Sequence, residues 1–338
     1  MVSRRDFLKQ STLASSALFL ANPLLSFAQL DEQSERERFD VIIVGGSYAG
    51  LSAALALGRS LRRVLVLDSK EPCNRMTPYS HNFLTQDGNS PGEISQSGKE
   101  QVERYDSVFF QVANVHQVNQ QQDQSFVVKT EQQKQYQAKY VLFATGMKDE
   151  LLPIEGYEAC WGKSILHCPY CHGYEKKQQP TTILANGEVA FHYAMLVSNL
   201  TQKLTILTNG KATFTREQQQ ALVQHQIPVI EKKIKELKHE SGQLSAVVFE
   251  DETTVETTAM YSRPPAKQHC DIPRQLGCTI TEQGHIQVNG KQETTISGVY
   301  ACGDASSFRS VATAVATGSA AGMAINAQLC QDTFLSYT

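Results

Sequence analysis

The apolar positions of this chain fall into short, nearly uninterrupted runs that are separated by helical and polar stretches. Residues 39–44 and 64–67 are two such runs, and a run that is apolar on both faces is typical of a strand in a sheet covered on both sides. The stretch between them, residues 51–61, is rich in Ala and Leu and predicts a helix. Strand, helix and strand in this order indicate an α/β fold with a parallel sheet.

A glycine-rich turn joins the first predicted strand to the helix. Residues 45–50 read Gly-Gly-Ser-Tyr-Ala-Gly, and the second strand ends at Asp68. Glycines let the backbone approach a pyrophosphate at a helix N-terminus, and the acid can bind ribose hydroxyls. Ser47 takes the middle glycine position of G-x-G-x-x-G, where its small side chain still permits a close approach. We therefore predict a dinucleotide site here; the alternative is a purely structural turn.

Two later segments have the same strand-to-glycine form. Residues 140–146 end in Ala-Thr-Gly, and residues 298–304 end in Cys-Gly-Asp. Gly303 would let the backbone approach a ligand, and Asp304 could accept hydrogen bonds from a polyol. A helix rich in small residues is predicted from about residue 311 to 328. These segments are expected to return the chain to the site at the first turn.

Reactive side chains are most concentrated in residues 167–175, which read His-Cys-Pro-Tyr-Cys-His-Gly-Tyr-Glu. Cys168 and Cys171 have the C-x-x-C spacing at a predicted helix start, where a thiolate is favoured. Such a pair can close a disulfide and shuttle two electrons. An imidazole exchanges protons with a thiol near neutral pH, so His172 is our first acid/base candidate, with His167 and Glu175 as the others.

Three other interpretations of this motif stay open. Cys168-x-x-Cys171-His172 matches the attachment pattern of a c-type haem. Two thiols and a histidine could hold zinc, although no second C-x-x-C supplies further ligands. A structural disulfide is the third possibility. We favour redox catalysis and predict no metal.

Together these motifs resemble the thioredoxin reductase-like flavoproteins, which are FAD-dependent pyridine nucleotide-disulfide oxidoreductases. The resemblance implies an α/β fold of two Rossmann-like three-layer dinucleotide-binding domains, with the second inserted in the first. The FAD-binding domain would comprise residues 38–151 and 264–328, and an NADPH-like domain, residues 152–263, would carry the redox pair. The implied assembly is a homodimer.

The same resemblance assigns roles to individual residues. Cys171 becomes the flavin-proximal thiol, and Cys168 the thiol that exchanges with substrate. Usual thioredoxin reductases have an acid after the second cysteine, whereas this chain has His172; the C-x-x-C-H form is similar to that of small-molecule dithiol oxidases related to them. The implied FAD contacts are Gly45, Gly46, Ser47, Gly50, Asp68, Thr145, Gly146, Gly303 and Asp304.

The corresponding turn of the second domain argues against NADPH binding. The predicted strand Thr181–Leu184 runs into Ala-Asn-Gly-Glu-Val-Ala, where only Gly187 and Ala190 match a nucleotide-binding turn. Asn186 and Glu188 place bulk and negative charge where a pyrophosphate would lie. No arginine pair follows the next strand to recognise a 2′-phosphate. We expect this domain to serve as a structural scaffold that keeps its fold without binding NADPH.

The first 28 residues have the features of an export signal peptide. Arg4 and Arg5 precede Phe-Leu-Lys, residues 11–25 carry no charge, and residues 26–28 read Ser-Phe-Ala, a small-x-small cleavage pattern. This order predicts a twin-arginine signal peptide and a protein exported to the periplasm. Reduced nicotinamide is not expected there, which favours electron flow from a dithiol through the disulfide to FAD and on to oxygen or another acceptor.

Composition adds several exclusions. A formal net charge of −3 argues against a nucleic-acid partner, and eight cysteines in 338 residues are too few for a disulfide scaffold. No apolar run reaches the roughly 18 residues of a membrane span. The expected partner is a small dithiol or disulfide, or a thioredoxin-like protein. The alternatives are an NADPH-dependent thioredoxin-disulfide reductase and, from another class, a non-catalytic flavin-bearing structural protein.

Overall fold

The computed structural model describes residues 36–336, so the predicted signal peptide lies outside the described part of the chain. Its strands are β1 (Glu37–Val44), β2 (Val64–Asp68), β3 (Val108–Val112), β4 (Val115–Gln120), β5 (Phe126–Thr130), β6 (Gln135–Phe143), β7 (Met147–Asp149), β8 (Ile165–Leu166), β9 (Thr181–Leu184), β10 (Leu204–Leu207), β11 (Val229–Ile230), β12 (Ile234–Glu240), β13 (Gln243–Phe249), β14 (Thr254–Glu256), β15 (Ala259–Ser262), β16 (Ala266–Gln268) and β17 (Val299–Ala301). Its α-helices are α1 (Tyr48–Arg59), α2 (Pro91–Val102), α3 (Tyr157–Cys160), α4 (Pro169–His172), α5 (Gly187–Val197), α6 (Arg216–Gln224), α7 (Ile272–Gln275) and α8 (Val311–Leu335).

The first sheet combines strands from both ends of the described chain. Its order is β3-β2-β1-β6-β5-β4, and β17 pairs with β6. Strands β1, β2 and β3 run parallel, whereas β4, β5 and β6 form an antiparallel meander. β17 lies parallel to β6 with Val299 opposite Val141. The far end of the chain therefore returns to the sheet that β1 begins.

Both faces of this sheet are covered, as the apolar runs predicted. Along β1, Val41 and Ile43 pack into a core with residues of α1 and α8, while Ile42 and Val44 belong to a second core on the opposite face. All four are buried, and burying one such side chain fully contributes roughly 1.5–3 kcal/mol. This double burial explains why β1 shows no polar alternation.

Helix α8 packs unusually close to α1. A Cβ atom on Gly318 would lie 2.1 Å from the Ala49 carbonyl oxygen, so only glycine fits at this crossing. The Ser52 hydroxyl on α1 donates a hydrogen bond of 2.7 Å to the Val315 carbonyl oxygen. The small residues of α8 therefore allow its N-terminal half to lie directly beside the glycine turn.

The second sheet is formed by the central part of the chain. Its order is β11-β10-β9-β15-β8, and the pairs between these strands are parallel. Ile183 and Ile206 pack in one core with α5, and Leu184 and Leu207 pack in another on the opposite face. A separate antiparallel sheet, β12-β13-β14, contributes Phe249 to the latter. The described residues thus form mixed α/β structure around two parallel-sheet cores.

Two short antiparallel strands carry the chain between these sheets. β7 pairs with β16, with Asp149 opposite Ala266 and Met147 opposite Gln268. The chain leaves the first sheet through β7 and returns through β16. The boundaries predicted at residues 151 and 264 lie beside this pair of strands.

Three element boundaries differ from the sequence predictions. α1 begins three residues early, at Tyr48, because Ser47 already has the extended backbone of an N-cap, and it ends before Leu61, whose φ is 58°. α8 continues to Leu335 instead of ending near residue 328. No helix within residues 36–336 is both long and apolar enough to span a bilayer.

Candidate active site

A cleft between the two sheets receives most of the residues that the sequence singled out. The sequence-predicted residues that line it are Gly45, Ser47, Asp68, Thr145, Gly146, His167, Cys171, His172, Gly303 and Asp304. Gly46 lines an adjoining pocket together with Ser47 and Asp68. Gly50 packs against Gly45, and Cys168 is only 7% exposed. The redox motif and the glycine turn therefore face the same cleft.

The first glycine turn is held by close contacts between backbone segments. Gly45 has a φ of 104°, and a Cβ atom there would lie 2.4 Å from the Ala144 carbonyl oxygen. A Cβ atom on Gly50 would lie 1.9 Å from the carbonyl oxygen of Gly45. These two glycines are thus required by the fold itself, in addition to any role in approaching a ligand. The Gly46 N–H donates a 3.0 Å hydrogen bond to Asp68 Oδ1, which ties the turn to the end of β2.

The donor and acceptor groups of this turn fit a dinucleotide such as FAD. The first turn of α1 reads Tyr-Ala-Gly without an acid, and within residues 36–336 the Ser47 side chain caps none of the helix N–H groups. A 12-residue helix in this state presents N–H donors and a positive dipole end that suit a phosphate. Asp68 supplies an acceptor for ribose hydroxyls at the end of β2.

Asp304 belongs to a buried charge network that the sequence did not reveal. The Arg309 guanidinium forms two hydrogen bonds to the Asp149 carboxylate, of 2.7 Å and 3.0 Å. Its Nε lies 3.7 Å from Asp304 Oδ2. Burial raises the pKa of the Asp304 carboxyl, and Arg309 limits that rise. Asp304 remains an acceptor for a ligand polyol, and Arg309 fixes its position.

A third thiol lies at the same end of the cleft. Cys73 follows the ribose-side acid and faces the open cleft, with its Sγ 3.8 Å from Asp304 Oδ2. This residue therefore lies on the cleft wall. Of the other free thiols, Cys160, Cys278 and Cys302 are buried, Cys270 is half-buried and Cys330 is exposed.

The redox motif forms a disulfide at the start of a single helical turn. Cys168 and Cys171 are bonded to each other, with 5.4 Å between their Cα atoms. Cys168 is the N-cap of α4, and its Sγ accepts a 3.2 Å hydrogen bond from the Cys171 N–H. Because α4 has only four residues, this local bond, more than a helix dipole, would stabilise a thiolate at Cys168. Of the two cysteines, Cys171 lines the cleft.

Both histidines that flank the disulfide line the cleft and favour the neutral form. Burial, with the charge of His81 adding to it, lowers the pKa of His172 to about 4, and Glu175 opposes the shift. Burial, followed by the charge of Arg309, lowers the pKa of His167 to about 4. A neutral imidazole beside a thiol can accept its proton. His172 and His167 therefore both qualify as bases near pH 7.

Glu175, the third acid/base candidate, is not among the residues that line the cleft and is paired with His81. Its Oε1 lies 3.5 Å from His81 Nε2, and its side chain is 40% exposed. No sequence motif connects His81 with the redox pair. It lines the cleft from a loop that follows β2.

The glycine turn of the second sheet is closed by its own side chains. Asn186 Oδ1 accepts hydrogen bonds from the N–H groups of Gly187, at 2.8 Å, and Thr213, at 2.9 Å. A Cβ atom on Gly187 would lie 2.7 Å from the Thr213 hydroxyl oxygen. Glu188 stands in the first turn of α5 and accepts a 2.5 Å hydrogen bond from Gln218. The Gly187 N–H at the start of α5 is thus occupied, and Glu188 adds a negative charge beside it.

Comparison with known proteins identifies the relatives of the chain. The family model described as pyridine nucleotide-disulphide oxidoreductase matches residues 39–318. Thioredoxin reductase sirT from Leptosphaeria maculans is 31% identical over 308 residues, which are 86% of this chain and 94% of that protein. Thioredoxin reductase from Bacillus subtilis is 24% identical over 86% of this chain and 95% of its own length. The crystal structure of the oxidoreductase from Agrobacterium tumefaciens superposes with a TM-score of 0.81 at 34% identity, covering 87% of this chain and 99% of that one.

Proposed function

The chain belongs to the pyridine nucleotide-disulphide oxidoreductase family and is a thioredoxin reductase-like, FAD-dependent thiol/disulfide oxidoreductase, and from this premise we propose that it works as a dithiol oxidase. Electrons enter from a substrate dithiol, pass through the Cys168–Cys171 pair to the flavin, and leave to dioxygen or another acceptor. In this proposal the enzyme has no use for NADPH, although the family usually couples FAD to it.

The observation that carries this proposal is the closed turn between β9 and α5. A pyrophosphate needs free N–H groups at a helix N-terminus and no negative charge beside them. Asn186 already accepts from the Gly187 N–H of this turn and from the Thr213 N–H of a neighbouring segment, and Glu188 adds a carboxylate to the first turn of α5. The pyrophosphate of a nicotinamide dinucleotide would have to displace Asn186 and overcome the repulsion of Glu188.

The side chains around the disulfide suit oxidation of a dithiol in two exchange steps. One substrate thiolate attacks Cys168 Sγ; a mixed disulfide forms, the Cys168–Cys171 bond breaks, and Cys171 leaves as a thiolate. The second substrate thiolate then attacks the substrate sulfur of the mixed disulfide, which forms the substrate disulfide and releases Cys168. The substrate loses two electrons and two protons, and the enzyme pair gains the electrons.

Proton transfer in these steps falls to the neutral imidazole of His172, which lines the cleft beside Cys171. It accepts the proton of a substrate thiol and so raises the fraction of attacking thiolate. FAD, when bound, would supply the two-electron acceptor for the reduced Cys168–Cys171 pair. Gly45, Ser47 and Asp68 would hold its phosphate and ribose groups, and Asp304 its polyol chain.

The predicted export signal supports the same direction of electron flow. A twin-arginine leader in residues 1–28 would deliver the folded enzyme to the periplasm, where thiols and an electron acceptor are available but no nicotinamide pool is expected. The proposal therefore includes a periplasmic homodimer acting on a small dithiol, with a thioredoxin-like protein as the other substrate class.

Anaerobic mixing of the purified yellow protein with NADPH and, separately, with dithiothreitol tests the proposal. We expect dithiothreitol to bleach the flavin absorbance and NADPH to leave it unchanged over the same time. A Cys168→Ser variant controls for direct reduction of the flavin by the thiol. Rapid bleaching by NADPH would contradict the proposal and favour a thioredoxin-disulfide reductase.

A further inference from the structure

One arginine in the cleft joins the strand that leaves the first sheet to the acid expected to bind the FAD polyol. Arg309 donates hydrogen bonds of 2.7 Å and 3.0 Å to the two carboxylate oxygens of Asp149 on β7. Its Nε lies 3.7 Å from Asp304 Oδ2. The three side chains line the same cleft and are between 10% and 22% exposed, so water screens their charges only weakly.

The two carboxylates are held by Arg309 in different ways. Asp149 is bound through both Nη atoms, which is the paired geometry that a planar guanidinium and a carboxylate prefer. Toward Asp304, the distance from Nε is longer than a hydrogen bond, and this Nε is buried without a hydrogen-bond partner among residues 36–336. Asp149 therefore fixes the guanidinium, and the guanidinium keeps one donor next to the acid on the cofactor side.

Both connecting strands contact the turn of residues 303–305, which carries the polyol acid. On β16, Gln268 Nε2 donates a 2.8 Å hydrogen bond to the Ala305 carbonyl oxygen. On β7, Asp149 reaches the same turn through Arg309. Because β7 and β16 also pair with each other, the two strands and the turn are linked by side-chain contacts from both sides.

We propose that Asp149 and Arg309 are positioning residues that extend the FAD site to the connecting strand β7. Arg309 holds Asp304 as an ionised acceptor for the polyol, and Asp149 holds Arg309. The inference goes beyond the proposed function, because it rests on the FAD site and on neither direction of electron flow. Bleaching of the flavin by NADPH would contradict the proposed direction and would leave this proposal in place.

The FAD affinity of the full-length apoprotein, measured by flavin fluorescence during titration, tests this role. We expect Arg309→Met to weaken FAD binding about tenfold, because Asp304 loses the cation that holds it. Arg274→Met is the matched control, since Arg274 forms an exposed pair of 3.1 Å with Asp271 and exposed pairs contribute little. An Arg309→Met protein that binds FAD as tightly as this control would overturn the proposal. Wild-type apoprotein that binds no FAD would overturn it together with the cofactor assignment.

A double-mutant cycle separates positioning of the acid from a general loss of structure. If Arg309 acts through Asp304, then Arg309→Met and Asp304→Asn should each weaken FAD binding about tenfold, and the double variant should be weakened little further. A loss of about a hundredfold in the double variant would mean that the two effects add. Arg309 would then act independently of Asp304, and the proposal would be wrong.

Two conservative variants test the same contacts and serve if Arg309→Met does not fold. Arg309→Lys keeps the positive charge but not the paired hydrogen bonds, so its FAD affinity should lie between those of the wild type and Arg309→Met. Asp149→Asn should weaken FAD binding about threefold, because a neutral amide holds the guanidinium less firmly than a carboxylate does. Wild-type FAD affinity in Asp149→Asn would overturn the proposal.

The pH dependence of FAD binding gives a signature that a purely structural contact would not produce. Burial raises the pKa of the Asp304 carboxyl; Arg309 opposes the rise, as do Cys73 and His285, while Asp149 adds to it. Without Arg309 the carboxyl takes up a proton at higher pH, and a protonated acid is a weaker acceptor than a carboxylate. As the pH is lowered, FAD affinity should therefore fall in Arg309→Met at a higher pH than in the wild type. A fall at the same pH in both proteins would overturn the proposal.

Discussion

The two strand-to-helix turns of this chain share one backbone arrangement and differ in the side chains at the start of the helix. At the β1–α1 turn the helix begins without an acid, and within the described chain the N-cap Ser47 makes no side-chain capping bond. At the β9–α5 turn the N-cap Asn186 bonds the Gly187 N–H, and Glu188 lies in the first helical turn. The first turn leaves its helix N–H groups without a side-chain cap, whereas the second has its Gly187 N–H occupied and carries a carboxylate.

This difference teaches that a repeated fold does not imply a repeated ligand. The second turn keeps its parallel strands, its helix and Gly187, which has a φ of 54°. Two side chains distinguish it: Asn186 occupies the Gly187 N–H, and Glu188 places a negative charge that opposes anion binding at the helix end. The binding capacity of such a turn therefore lies in its side chains, while the strands and helix provide only the frame.

The largest expected effect tests whether electrons enter through the redox disulfide or from a nicotinamide bound at the second turn. If they enter only through the redox motif, Cys171→Ser should slow flavin bleaching by dithiothreitol at least about a thousandfold, because the disulfide can no longer form. Anaerobic absorbance spectroscopy measures this, with Cys330→Ser, an exposed cysteine in α8, as the control. Bleaching of the Cys171→Ser enzyme by NADPH would show that the second turn does bind nicotinamide.

Replacing the base beside the disulfide should have the next largest effect. We expect His172→Gln to lower the rate of reduction by dithiothreitol roughly a hundredfold. Since burial lowers the pKa of His172 to about 4, the base is neutral above that pH, and the wild-type rate should fall as the pH drops through it. Stopped-flow reduction across pH measures both. An unchanged rate in His172→Gln, with a loss in His167→Gln, would assign the base to His167.

Much of the fold was predictable from local patterns. The apolar runs of β1 and β2, the glycines between them and Asp68 are near neighbours in sequence, and each constrains the backbone where it stands. The C-x-x-C spacing likewise predicts a local disulfide without knowledge of the rest of the chain. Signals of this kind depend on contacts within one strand–helix–strand unit.

The parts that were missed depend on contacts between distant segments. Arg309 binds Asp149 from a sequence separation of 160 residues, and neither residue belongs to a motif. Helix α8 extends past the predicted end because Asp332 bonds both Gln328 and Tyr140 on β6. His81 meets Glu175 only because the loop after β2 lies over the cleft. No local pattern encodes these pairings.

A pair of acid substitutions sharpens the comparison of the two turns. Asp68→Asn should weaken FAD binding about tenfold or more, because a charged acceptor in such a hydrogen bond contributes roughly 1.5–3 kcal/mol. Glu188→Gln, the matched change at the second turn, should leave FAD affinity unchanged. Flavin fluorescence during titration of the apoprotein measures both. Equal losses in the two variants would mean that the second turn also contributes to FAD binding.

The smallest effect compares the two N-caps in the FAD-free protein. Asn186→Ala should lower the free energy of unfolding by about 1–2 kcal/mol, since the substitution removes the acceptor for the N–H groups of Gly187 and Thr213. Ser47→Ala should change it by less than about 0.5 kcal/mol, because the Ser47 hydroxyl makes no capping bond among the described residues. Urea unfolding followed by circular dichroism measures both. For FAD affinity we expect the opposite order, because only Ser47→Ala should weaken binding. If the two variants lost equal free energy of unfolding, the N–H groups of the first turn would be capped as well as those of the second. The first turn would then have no special claim to the cofactor.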